Sequence, residues 1–324
     1  MCHGKVKRLH IVPGVDDAAN GLAVVARLLA KEQGDAEVVD LNDGLCRIDE
    51  ADCEEVWIHG MWLPKEWQAC KRVLKSRKKL VRMTHGSLSP IYLERQGKWK
   101  KRLVGPIERF FLRQADCIVA TCAMEKEWIE AYLGKRCPRI EVTDIKRFFG
   151  LSRVEHVERV ETETVRKGAL HLLYLGRRHP LKGLEYLEVA LKKCGNVKAW
   201  KREKVEAADE GGGKIEFRVE SNVFGEEKER VWEWCDVLVL PTLSENFGLV
   251  IAEALERGKR VITTDGAPAW GEGLSRVEHV ERVEGELWSG YEGRLIYLKG
   301  YRDGSPEVRI ALLEDAIKNL RKDM

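Results

Sequence analysis

The 324-residue chain is 44% hydrophobic and 34% charged, long enough for two cores of ~150 residues, and it lacks the run of ~20 apolar residues that crosses a bilayer. Its net charge of +3 is uneven: residues 1–150 hold 27 Lys+Arg against 21 Asp+Glu, and Lys65–Arg113 sets 15 bases against only Glu66, Glu94 and Glu108. Nine scattered cysteines without C-x-x-C or zinc spacing argue against a disulfide framework or structural metal, and the start Met1-Cys2-His3-Gly4-Lys5 has no secretory core, so a cytoplasmic chain with reduced thiols is expected.

In chain order, Val6–Val12 reads as a strand ended by Pro13-Gly14, and a loop to Asn20-Gly21 opens a helix over Leu22–Gln33. Strands are predicted at Ala36–Leu41, Val56–His59 and Leu80–Met83, with a helix starting near Pro64, then a helix over Pro106–Gln114 and a strand at Cys117–Ala120. A second series follows: strand Leu170–Leu175, helix from about Lys182 to Lys193, strands Ile215–Val219 and Val237–Leu240, helix Phe247–Arg257 and strand Arg260–Thr263. Ser305 and Pro306 are a cap and first residue for a terminal helix. This alternation predicts an α/β protein of two doubly wound parallel sheets. The expected division is 1–150, a linker at 151–167, a second domain at 168–304 and a C-terminal helix at 305–324.

Leu151–Glu161 recurs letter for letter at Leu274–Glu284. An identical charged copy reads as a recently inserted spacer, with a short binding element as the alternative, and its His156 and His279 are given no catalytic part.

The chemistry concentrates where the strand ending at Pro241 leads through Ser244-Glu245-Asn246 into a helix beginning near Phe247-Gly248-Leu249. A helix start offers free N–H groups and partial positive charge to an anionic ligand, and Gly248 permits close backbone approach. Glu245 and Glu253 then offer two carboxylates to hydroxyls on one ligand. Upstream, Gly176-Arg177-Arg178 ends a strand and Lys182 follows, a basic set suited to charge that grows on a departing diphosphate. At another strand end stands Thr84-His85-Gly86, and Asp16, Asp17, Asn20 and Gly21 precede the first helix.

The order of Glu245, Phe247, Gly248, Leu249, Glu253 and Ala254 closely resembles the signature of the retaining glycosyltransferases of family 4, the group 1 glycosyltransferases. The resemblance implies a GT-B fold, two Rossmann-like domains facing a cleft, with a C-terminal helix crossing back to the first. It implies that Glu245 contacts the donor sugar, that Asn246, Phe247, Gly248 and Leu249 bring backbone amides to sugar and diphosphate, and that Glu253 binds ribose. Gly176, Arg177 and Lys182 match the family's Gly-Arg and Lys-Gly, and Arg177 and Lys182 would bear the leaving-group charge. His85 would donate a hydrogen bond to a sugar hydroxyl or assist the acceptor, while Asp16, Asp17, Asn20 and Gly21 fall on the acceptor side.

Transfer of a sugar from a nucleoside diphosphate to a hydroxyl of a glycan or lipid-linked acceptor is therefore expected, as in bacterial lipopolysaccharide synthesis. No cofactor or metal is implied, since no Asp-x-Asp ends a strand and the cations neutralise the diphosphate. The basic Lys65–Arg113 segment suggests an anionic membrane surface and a peripheral location on its inner face. Nucleic acid is not expected, because no recognised module accompanies the basic segment. The competing readings are a sugar-nucleotide epimerase and a non-catalytic glycan-binding or scaffold protein on the same fold.

Overall fold

A computed structural model describes residues 7–17, 20–95, 97–151, 169–195, 197–201, 204–205, 215–272, 274–276, 286–291 and 294–322. The chain divides into two compact units, Met1–Phe148 and Phe149–Met324. The first copy of the duplicated segment lies outside the described residues beyond Leu151, and the second beyond Arg276.

The first unit runs β1 (Arg8–Val12), α1 (Gly21–Gln33), β2 (Ala36–Asp40), α2 (Leu41–Glu50), β3 (Glu55–His59), α3 (Pro64–Ser76), β4 (Lys79–Met83), α4 (Pro90–Arg95), α5 (Lys98–Arg113), β5 (Cys117–Ala120), α6 (Ala123–Leu133) and β6 (Ile140–Val142). Its described strands form one sheet in the order β2-β1-β3-β4-β5-β6, parallel throughout. The strands are covered on both faces: Leu9, Ile11, Val56, Ile58, Leu80 and Ile118 are buried on one, and Val12, Val81, Met83 and Val119 on the other. From β1 the chain goes first to one side and then to the other, so the order reverses between β1 and β3. The carboxyl ends of strands at such a reversal are where open α/β sheets bind ligands.

The second unit runs β7 (Leu170–Leu175), α7 (Leu184–Cys194), β8 (Val197–Lys201), β9 (Lys204–Val205), β10 (Ile215–Glu220), α8 (Gly225–Trp234), β11 (Val237–Val239), α9 (Leu249–Glu256), β12 (Arg260–Thr264), β13 (Ser275–Arg276), β14 (Glu286–Gly290), β15 (Leu295–Lys299) and α10 (Pro306–Lys322). Its sheet order is β13-β14-β15-β12-β11-β7-β10-β8-β9, parallel from β15 to β8 and antiparallel at both edges. Here the reversal falls between β7 and β11. The terminal helix packs within the second unit, where Arg309 on α10 bonds Tyr186 on α7 at 2.9 Å.

One expected helix start is displaced. Pro106 does not start a helix but lies inside α5, which begins at Lys98. Its missing N–H frees only the Arg102 carbonyl, and both residues are exposed, so water can satisfy that group. Within the basic Lys65–Arg113 run, Arg82, Glu66 and Glu108 are wholly buried, with Arg82 Nη2 2.8 Å from Glu108 Oε1. All eight cysteines among the described residues are free thiols, and no described helix is long and apolar enough to cross a membrane.

Candidate active site

In the second unit, the loops after β7 and β11 carry the predicted donor residues to the sheet's reversal point. The turn Pro180–Lys182 is capped by His179, whose Nδ1 accepts from Leu181 N at 3.2 Å. The turn is then bound to the β11 loop: Leu243 N donates to Leu181 O at 2.8 Å and Thr242 Oγ1 to the same oxygen at 3.0 Å. Gly183, at φ +66°, makes this docking possible, since a Cβ there would lie 2.0 Å from Pro241 O. Across the loop, Glu245 N donates to Gly266 O at 2.8 Å. A Cβ at Gly266 would come within 2.1 Å of Thr242 O.

These contacts bring Lys182 and Glu245, 63 positions apart, into an ion pair between Lys182 Nζ and Glu245 Oε2, both mostly shielded from solvent. Gly248 sits at φ +73° immediately before α9, and Glu245 Cγ would be 3.2 Å from a Cβ there. Phe247 is buried: its carbonyl accepts from Trp270 Nε1, its ring lies 5.1 Å from the Trp270 ring, and Phe149 stacks on it at 6.3 Å. Thus the Phe247 side chain is a wedge that fixes the backbone just before α9. Leu249 is the first residue of α9, and Asn246 N donates to Glu245 Oε1 at 3.2 Å.

Glu253 is placed by a residue that sequence reasoning missed. Lys228, on α8, lies 2.7 Å from Glu253 Oε2. Gly176 N donates to Glu220 O at 3.0 Å, and Tyr174 OH donates to Arg177 O at 3.0 Å, so this strand end is fixed while the Arg177 and Arg178 side chains remain exposed. Burial, with Glu245 nearby, pushes the Tyr174 hydroxyl pKa up, so it stays a donor.

In the first unit, His85 follows β4 with φ +49°, an uncommon conformation for a side-chain-bearing residue. Glu125, wholly buried on α6, holds this loop: Oε1 accepts from Thr84 Oγ1 at 2.6 Å and Gly86 N at 2.5 Å, and Oε2 from Thr121 N and Oγ1 at 2.8 and 2.7 Å. Sequence reasoning missed Glu125, whose one signal was an acidic residue in a helix's first turn. Behind His85 lies a row of rings: His85 Nε2 is 2.9 Å from His59 Nδ1, and His59 Nε2 is 2.9 Å from His10 Nδ1. Burial lowers their pKa values, His10 to about 4, His85 to about 3 and His59 well below its ordinary value. All three are neutral at pH 7.

Of the acceptor-side set, Asn20 is committed to the loop itself. It caps α1 by accepting from Leu22 N at 3.1 Å and donates to Pro13 O and Gly14 O at 2.6 and 3.0 Å. Asp40 ties the same loop down, accepting from Gly14 N and Val15 N at 2.8 and 3.1 Å. Asp16 and Asp17 are exposed on that loop, and Gly21 is the first residue of α1. Among the described residues no cluster of three His, Cys, Asp or Glu side chains is placed to hold a metal ion.

A family model described as glycosyl transferases group 1 matches residues 169–279, and one described as glycosyltransferase family 4 matches residues 48–143. A Klebsiella pneumoniae protein, described as an uncharacterized 41.2 kDa protein in the cps region, is 30% identical over 177 residues, 52% of this chain and 48% of the relative. The match thus spans about half of that relative's length. The crystal structure of Anabaena HepE with UDP and glucose superposes at TM-score 0.60 with 15% identity, covering 98% of this chain and 91% of that one. A putative UDP-N-acetylglucosamine 2-epimerase from Listeria monocytogenes superposes at TM-score 0.54 with 14% identity over 98% of this chain and 90% of its own. At such identities the likeness establishes the fold, a GT-B pair of Rossmann-like units. With a glycosyltransferase model matched in each unit and that fold in both, the chain belongs among the family 4-like, group 1 glycosyltransferases.

Proposed function

We propose that the protein transfers a sugar from a nucleoside diphosphate to a hydroxyl of a glycan or lipid-linked acceptor, with retention, in the synthesis of a bacterial surface polysaccharide. The observation that carries this reading is the Lys182–Glu245 pair beside Gly248 and the start of α9, at the reversal point of the second sheet. HepE's complex with UDP and glucose supports the donor class, and the cps-region relative supports the pathway class. Lys182 and Arg177 bear the growing diphosphate charge, Glu245 accepts from sugar hydroxyls, and Glu253, held by Lys228, accepts from the ribose. The leaving phosphate itself takes the acceptor proton, so attack occurs on the face it departs from.

Removing one preorganised charge at the leaving group costs about 10²–10³ in rate. Lys182→Ala is expected to lower kcat by that order, and Glu253→Ala to weaken donor binding, with a matched donor and acceptor. Turnover within twofold of wild type for both variants would sink the assignment. Product analysis with a labelled donor separates transfer from the epimerase alternative.

The proposed membrane contact narrows to α5. Trp99 (82% exposed), Leu103 (81%), Ile107 and Phe110 form an apolar stripe on the side opposite the buried Gly105, Glu108 and Leu112. Lys98, Lys100, Arg102 and Arg113 are exposed on the same helix, and its sole acid, Glu108, is buried. An interfacial helix in an anionic bilayer has this pattern, each base adding ~1 kcal/mol near the surface. Trp99→Ser with Leu103→Ser should abolish sedimentation with anionic vesicles, as should high salt; equal binding to neutral vesicles would rule the docking out.

A further inference from the structure

The histidine row of the first unit ends on a side chain with no part in the proposed chemistry so far. His10 Nε2 lies 2.8 Å from Gln33 Oε1, at the last residue of α1. The row Gln33–His10–His59–His85 therefore crosses from α1 through β1 and β3 to the loop after β4, with Trp57 stacked on His10 at 4.9 Å.

A neutral imidazole carries one N–H and one bare nitrogen. Each N···N bond in the row needs a donor on one side and an acceptor on the other, so one choice at either end determines every ring. A carbonyl oxygen can only accept, hence His10 Nε2 donates to Gln33 and His10 Nδ1 is bare. His59 Nε2 must then donate to His10, and His85 Nε2 to His59. Arg8 beside His10 and Arg82 near His59 both disfavour an extra proton, and burial does so more strongly, which keeps one proton per ring.

We infer that Gln33 acts at a distance as a positioning residue: through His10 and His59 it fixes the tautomer of His85, which meets its ligand with a bare Nδ1 that accepts a hydrogen bond from a ligand hydroxyl. This reverses one of the two roles expected from the sequence, in which His85 donates to a sugar hydroxyl. It rests on the reading of His85 as facing the sugar substrates only for the ligand's identity; the coupling along the row stands on the geometry. The positive φ of His85, braced by Glu125 through both neighbouring residues, fits a ring held in place for a purpose beyond packing.

The test is histidine tautomer assignment by ¹H–¹⁵N correlation NMR on the full chain labelled with ¹⁵N-histidine. Wild type should show Nε2 protonated and Nδ1 bare on His10, His59 and His85. Gln33→Glu, which also can only accept, should keep that pattern. Gln33→Lys sets a donor against His10 Nε2 and should move the proton of His85 to Nδ1, a change that His59→Phe in the same chain should block. If the lysine variant does not fold, Gln33→Met should leave His85 in a mixture of tautomers. A protonated His85 Nδ1 in wild type, or a His85 tautomer indifferent to residue 33 in the folded variants, would overturn the inference. Loss of one accepted hydrogen bond should raise the KM of Gln33→Lys for donor or acceptor about five- to tenfold. Reversed tautomers with unchanged KM values would instead reject the sugar-facing reading of His85 while leaving the relay intact.

Discussion

Arg82 donates through Nη2 to Glu108 Oε1 at 2.8 Å and Gly60 O at 2.9 Å, and through Nη1 to Cys70 Sγ at 2.8 Å, with no exposure to solvent. Glu108 Oε2 meanwhile accepts from Trp62 N and Trp67 Nε1 at 3.1 and 2.6 Å, so the pair joins α3, β4 and α5. Breaking a buried pair strands the surviving charge, which costs about 3–5 kcal/mol. Arg82→Met should lower the urea unfolding free energy by that amount, and adding Glu108→Gln, which removes the stranded charge and keeps an acceptor for Trp62 N and Trp67 Nε1, should recover part of it. From sequence these residues were indistinguishable from their solvated neighbours, because nothing along a basic run marks which charge turns inward. The proposed donor residues stand out in the sequence for the opposite reason: Glu245, Gly248 and Glu253 lie within nine positions on one strand–loop–helix segment. Lys228 and Glu125 do not, since Lys228 reaches Glu253 25 positions away and Glu125 holds Thr84 and Gly86 from the far side of β5.

At the scale of elements, the Pro180–Lys182 turn depends on glycine as much as on hydrogen bonds. Ala at 183 would meet Pro241 O and be strained at φ +66°, so Gly183→Ala should cost at least ~2 kcal/mol. Nucleotide binding by calorimetry should fall with it if the turn and the β11 loop form one site. The parallel strands were readable because burial on both faces makes them short apolar runs. Helix α2 was missed since Asp40 both ends β2 and caps α2 by accepting from Asn42 N at 2.8 Å, leaving no loop to signal a boundary. Pro106 misled the start of α5, as the proline signal for a first turn equally fits an exposed helix interior. The antiparallel β14–β15 pair also went unread.

Over the whole molecule, the neutral histidines tie stability to pH. An unfolded histidine takes a proton near pH 6.5, whereas His10 in the fold resists it until about pH 4. Between those values the unfolded chain binds more protons, so stability is full above ~6.5 and falls as the pH drops through this window, by about 3 kcal/mol from His10 alone. Glu66, pushed up to about 7 by burial, acts in the opposite sense, but it is one group against a row. The urea midpoint should therefore be lower at pH 5 than at pH 7, and His10→Phe should flatten the difference.

If α5 docks on a bilayer as proposed, its exposed face changes how the enzyme finds a lipid-linked acceptor. Held at a surface, it searches a plane instead of a volume, and each acceptor is met at the high local concentration that tethering creates. A soluble acceptor analogue would gain nothing from this, so vesicles should lower the apparent KM for the lipid-linked acceptor and leave that for the analogue unchanged. The Trp99 and Leu103 substitutions should erase the difference without touching the donor loop.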